Sequence, residues 1–128
     1  MKKEAIRTER APAPGGSYSQ GLRAGDWFFT AGQVGIDPAT GMLPEGIEAQ
    51  TEQALKNVSA ILEAAESCLN DVVKVTVHLE DFADFAAFDA VYRRFFDDPR
   101  PVRTTVQSGL KGRKVEIDVI ACRGATKA

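Results

Sequence analysis

Histidine occurs once in this 128-residue chain, at His78, and cysteine twice, at Cys68 and Cys122. Neither cysteine belongs to a Cys-x-x-Cys pair, and one histidine cannot form a histidine cluster for a metal. Two cysteines make no disulfide framework, so free thiols in a reducing cytoplasm are expected. Long apolar runs are missing too. No stretch approaches the ~20 residues that span a bilayer. The opening "MKKEAIRTERAPAP" has two lysines but lacks the apolar core of a signal peptide. A cytoplasmic protein with no membrane partner is therefore expected. Excess basic charge is also absent: 16 Lys and Arg against 18 Asp and Glu leave a net charge of −2. Such a chain has no global field for holding nucleic acid, which is not an expected partner.

What remains is an ordinary globular composition, 44% hydrophobic and 27% charged. The length suits one domain over residues 1–128, large enough to bury roughly two-thirds of its unfolded surface without a staple.

Read along the chain, "KEAIRTER" suits an edge strand, and "APAPGGS" breaks it. "YSQGLRAGD" reads as a strand turning at Gly25-Asp26, and the aromatic "WFFTAGQVG" as a buried strand. "DPATGMLPEG" is turn chemistry. From Ile47 to Glu66, Ile47, Ala54, Leu55, Val58, Ile61, Leu62 and Ala65 recur at helical spacing and predict one buried face. "DVVKVTVHLED" alternates, predicting a strand with Val73, Val75, Val77 and Leu79 inward and Lys74, Thr76 and His78 outward. A second helix is predicted over Phe82–Phe96. Asp81 is its candidate cap, and Phe85, Phe88, Tyr92, Phe95 and Phe96 form its aromatic stripe. "DDPRP" stops it. The order β-β-β-α-β-α-β-β predicts a two-layer α+β fold, with two helices over one face of a mixed six-stranded sheet.

The last two strands, "VRTTVQ" and "VEIDVIAC", pose the functional question. Their more apolar faces, with Val102, Thr104 and Val106 in one and Val115, Ile117, Val119 and Ala121 in the other, are expected against the helices. Arg103 and Glu116 would then share the opposite face. A two-residue turn at Gly109-Leu110 would make them direct cross-strand neighbours, and a turn nearer Lys111-Gly112 would change the register. An ion pair and a binding site both explain such residues, and Asp118 could take the ion-pair role instead. The second face mixes Ile120, Cys122, Thr76 and Thr105 with charges, as a surface packed on another subunit would.

Several segments in order resemble the reactive-intermediate deaminase family, also called RidA or YjgF/YER057c/UK114. They are "GGSYSQG", "FFTAGQVGIDPATG", "QTEQALKNVSAILEAA", "DVVKVTVHLEDFADFAAFDAVYRRFF", "PVRTTV" and "VEIDVIA", together spanning about residues 5–122. The resemblance implies a chorismate-mutase-like fold and a homotrimer with clefts between subunits. It further implies hydrolysis of 2-imino acids or their enamine tautomers, such as 2-aminoacrylate and 2-iminobutanoate, to 2-keto acids and ammonia. Carried onto this chain, Arg103 would hold the substrate carboxylate and Glu116 would position water. Gly32 would allow close backbone approach, Tyr18 and Phe85 would line the cleft, and Thr105 would stand at the small position near the arginine. No cofactor is implied, since an imine carbon is already electrophilic. The chain departs from the family at Ser17, Ala31, Thr105, Asp89 and the shortened "SGLKGRK". The departure at Asp89, from asparagine, adds a charge if that position lines the cleft. The resemblance also admits another substrate, such as 2-aminomuconate, or a non-catalytic keto-acid-binding or chaperone-like trimer.

Overall fold

The computed structural model describes residues 2–125. In chain order the elements are β1 (Lys3–Ile6), β2 (Gly21–Ala24), β3 (Trp27–Thr30), β4 (Gln33–Val34), α1 (Ile47–Ala64), β5 (Val72–Leu79), α2 (Phe85–Tyr92), β6 (Val102–Gln107) and β7 (Val115–Cys122). The sheet order is β1-β2-β3-β7-β5-β6, with β4 pairing β7 beside the main path. Among the described strands only β5 and β6 run parallel. This is the expected α+β architecture, enlarged by the two-residue β4.

The core lies between sheet and helices. Ile47, Ala54, Leu55, Val58, Ile61 and Leu62 of α1 are buried, as their spacing predicts. They meet Phe28, Val75, Val77, Ile117 and Val119, and Phe88 of α2 completes the cluster. The second helix is shorter than its periodicity predicts. Asp81 does cap it, accepting from the Ala83 N–H at 2.9 Å, but that first turn is 3₁₀. After Tyr92 the chain tightens: Arg94 N–H donates to Val91 and Phe95 N–H to Tyr92. The tighter winding brings Phe96 back into the core before the prolines.

Three further expectations fail, and the third carries the facing of β6 with it. In β5 a bulge lies between Val72 and Lys74, so Val72, not Val73, joins the buried row. In β3 only Phe28 and Thr30 are buried, while Trp27 and Phe29 are 43% and 39% exposed. The third failure concerns the last two strands, which do not form a hairpin. Because β5-α2-β6 is a crossover, β6 lies parallel to β5 on one side and β7 antiparallel on the other. The connecting loop passes over the end of β5. There Ser108 N–H donates to Leu79 O at 2.9 Å and Glu80 N–H to Lys114 O at 3.1 Å. The Glu80 carboxylate accepts from Leu110 N–H at 2.6 Å.

This connectivity inverts the expected facing of β6. Arg103 pairs with Val75 and Thr105 with Val77. Both valines point at the helices, so Arg103 and Thr105 do too. Val102, Thr104 and Val106 take the helix-free face, where Val102 is 66% exposed. Glu116 stays on that open face as expected. Arg103 and Glu116 therefore project from opposite sides of the sheet and are not cross-strand neighbours.

Candidate active site

Arg103 sits on an edge strand under the aromatic stripe of α2. Its guanidinium carbon lies 5.4 Å from the ring centres of both Phe85 and Phe88, and 4.6 Å from that of Tyr92. These rings hold the cation by its attraction to their faces. That is why an arginine can occupy the helix side of a strand. The helix also supplies a counter-ion. Arg103 Nη1 donates to Asp89 Oδ1 at 2.7 Å, and Arg93 Nη2 lies 3.6 Å from Asp89 Oδ2. The hydrogen bond from Arg103 holds the Asp89 carboxyl below the usual carboxylate value, against the opposing effect of burial. Burial pushes the Tyr92 phenol up to about 12. Its hydroxyl is buried beside the Arg103 guanidinium, without a well-formed hydrogen bond among the described residues. Asp89, Tyr92, Arg93, Arg100, Pro101 and Arg103 line a cavity of about 510 Å³.

Glu116 belongs to a second cluster. It lies on β7 between Val34 of β4 and His78 of β5. Gly32 is against it: a Cβ there would fall 2.7 Å from Glu116 Cδ, so a side chain would have to displace the carboxylate. On the same face, His78 Nδ1 is 2.6 Å from Ser108 Oγ. Asp118, also there, has its carboxyl raised by burial and by Glu116, with His78 and Lys74 opposing.

Tyr18 is in neither cluster. It lies in the loop between β1 and β2, exposed, with its hydroxyl accepting from Gly15 N–H at 3.0 Å. It borders a cavity of about 840 Å³ with Arg7, Pro14 and Ser19. Buried Gln20 shapes this loop. Its Oε1 accepts from Thr8 N–H at 2.8 Å, and its Nε2 donates to Pro12 O at 2.8 Å. Gln20 O accepts from Ala31 N–H at 2.8 Å, which ties the Tyr18 loop to the Gly32 segment.

The structure thus groups the residues singled out in the sequence into Arg103 with Phe85 and, on the same strand side, Thr105, and Glu116 with Gly32. Tyr92, Arg93 and Arg100 were not singled out as site residues. Asp89 was the available signal: it interrupts an aromatic stripe four residues after Phe85, so a carboxylate had to share that face.

Fold and site together define a class: a two-layer α+β chain whose edge arginine and open-face glutamate stand apart within one subunit. Residues 8–123 match the family model described as Endoribonuclease L-PSP. The chain belongs to this family, the YjgF/RidA family. It is 48% identical over 120 residues to a RutC family protein of Pyrococcus horikoshii, covering 93% of this chain and 95% of that protein. It is 42% identical over 125 residues to the 2-iminobutanoate/2-iminopropanoate deaminase of Salmonella typhimurium, covering 94% and 98%. The crystal structure of Escherichia coli TdcF with bound serine matches with a TM-score of 0.88 and 39% identity, covering 94% of this chain and 98% of that one.

Proposed function

We propose that this chain hydrolyses 2-imino acids and their enamine tautomers to 2-keto acids and ammonia, in clefts shared between the subunits of a homotrimer. The carrying observation is the separation of Arg103 and Glu116 on opposite faces of one sheet. Each comes with its own partly open cluster, so a single small substrate can meet both only across two copies. Relatives named as deaminases of this chemistry, and a relative holding serine, support the reading.

In this scheme the planar fork of Arg103 binds the substrate carboxylate, with Phe85 walling the apolar side and Thr105 beside it. Glu116, brought up by the neighbouring copy, accepts a proton from water as the oxygen attacks the carbon of the protonated imine, whose nitrogen thereby becomes a neutral amine. The nitrogen of the resulting carbinolamine takes a proton and leaves as ammonia, and the remaining hydroxyl loses one to give the keto acid. Gly32 leaves the space that Glu116 and the substrate need, and Tyr18 closes the cleft. The second activity suggested by the family description, RNA cleavage, is the weaker reading, because a net charge of −2 gives no general attraction for a polyanion.

The test is an assay in which a threonine dehydratase generates the imine and semicarbazide traps what survives. The protein should shorten the lifetime of the imine. Arg103→Ala should remove at least about 100-fold of that acceleration, as loss of one partner of a desolvated charge pair does. Unchanged kinetics in the variant would remove Arg103 from the mechanism.

A further inference from the structure

We infer that Asp89 is a specificity-determining residue that selects ligands carrying an N–H-bearing nitrogen beside the carboxylate, and disfavours their 2-oxo counterparts. The inference rests on the reading that Arg103 binds the carboxylate.

The hydrogen bond between Arg103 and Asp89 uses Nη1 alone, so Nε and Nη2 remain for a second acceptor. A ligand carboxylate taking those positions lies next to an ionised aspartate. Two carboxylates on one guanidinium repel, and the repulsion must be offset. Arg93 and Arg100 offset part of it. They and Arg103 line one cavity wall with Asp89; Arg100 Nη1 also lies 3.5 Å from the exposed Asp98 carboxylate, so three guanidinium groups face two carboxylates and the site keeps a net positive charge. The ligand supplies the remainder if its C2 substituent can donate to Asp89.

An ionised carboxylate is an acceptor only. An imine or iminium nitrogen carries N–H and, once protonated, positive charge, and both suit Asp89. The oxygen of a 2-keto acid is also only an acceptor, so it meets Asp89 lone pair to lone pair. An asparagine here would reverse the preference, since its amide can turn an N–H toward that oxygen. The same cavity wall contains the Tyr92 hydroxyl, almost wholly buried beside the Arg103 guanidinium and without a well-formed hydrogen bond among the described residues. Asp89 would thus bias the site toward admitting the nitrogen-bearing substrate and releasing the keto-acid product.

The experiment compares a matched pair of probes, L-2-aminobutanoate and 2-oxobutanoate, by titration calorimetry at neutral pH. They share the carboxylate and the carbon chain and differ at C2. The wild-type protein should prefer the amino acid. In Asp89→Asn the ratio of the two dissociation constants should move by at least about tenfold toward the keto acid. Asp89→Ser, a smaller side chain without charge, should move it the same way and guards against a defect peculiar to one variant. An unchanged ratio in both, or a shift toward the amino acid, overturns the inference while leaving the hydrolytic reading intact. Arg103→Gln should weaken both probes together. If it weakens neither, the carboxylate reading fails and the role of Asp89 falls with it.

Discussion

The two faces of the sheet are made from the same strands and differ in what completes them. On the helix side, Phe28, Val75, Val77, Ile117 and Val119 are sealed by the two helices, and even the cation Arg103 finds aromatic rings and a carboxylate within its own chain. On the other side, Trp27, Phe29, Val102 and Val106 stand exposed around Glu116, His78 and Asp118. One face is finished by the chain itself. The other presents apolar bulk that water does not favour, next to ionisable groups that are partly desolvated. A second copy of the chain seated there would satisfy both, and would bring one subunit's glutamate to another's arginine.

Complementation tests a cleft shared by two copies with the largest expected effect. Arg103→Ala and Glu116→Gln should each be nearly inactive, the latter reduced by about 10² to 10⁴-fold as for loss of a general base. If each cleft takes its arginine from one subunit and its glutamate from the next, a mixed trimer contains one intact cleft. Unfolding equal amounts of the two variants together and refolding them should then restore about one-quarter of the wild-type activity, since about three-quarters of randomly assembled trimers are mixed and each of these has one cleft in three intact. Mixed trimers that form but recover no activity would mean that no cleft combines Arg103 of one subunit with Glu116 of the next.

Adjacent phenylalanines give the next contrast. Phe28→Ala removes a fully buried ring from the core and should cost about 3–5 kcal/mol in denaturant unfolding. Phe29→Asp, one residue on and facing the other way, should leave the circular dichroism spectrum native. It should lower the sedimenting mass to that of one chain and abolish turnover. An oligomer that survives Phe29→Asp would mean that the open face is not where copies meet.

How much of this was legible beforehand depended on whether local pattern or connectivity decided the feature. Helix α1 and the inward row of β7 could be read directly, because a spacing of three and four, or of two, reports burial when one face is sealed by the same chain. The facing of β6 could not. Its six residues alternate weakly, and valine at 102 and 106 outweighs arginine on any scale of apolarity. What inverted it was the crossover through α2, which set β6 beside β5 and under the rings of Phe85, Phe88 and Tyr92. The same connectivity removed the expected hairpin. The bulge at the start of β5 was equally hidden, since "DVV" offers two valines for one inward position. The candidate site residues were proposed through family resemblance, whereas the placing of Arg103 and Glu116 on opposite faces emerged only from the fold.

Two aspartates, one on each face, should respond to pH in opposite directions, by smaller amounts than the changes above. Asp89 is held below the usual value of 3.8 by Arg103, so its ionised form stabilises the fold. That contribution is complete above 3.8 and is lost as pH falls through the lower folded-state value. Asp118 is raised above the same reference, chiefly by burial. Its ionised form therefore opposes folding above the raised value, and the penalty disappears as pH falls below 3.8. Compared with Asp89→Asn, a chain with Asp89 should have its advantage in melting temperature at neutral pH and lose it in acid. Compared with Asp118→Asn, a chain with Asp118 should have a deficit at neutral pH and lose that deficit in acid. Both comparisons belong in the Phe29→Asp background, so that the open face is read without a second copy on it. Slopes of the same sign would mean that the two faces do not differ in how they treat a carboxylate. A deficit from Asp118 that is present in this background and absent from the assembled protein would show that a neighbouring subunit supplies what the open face lacks.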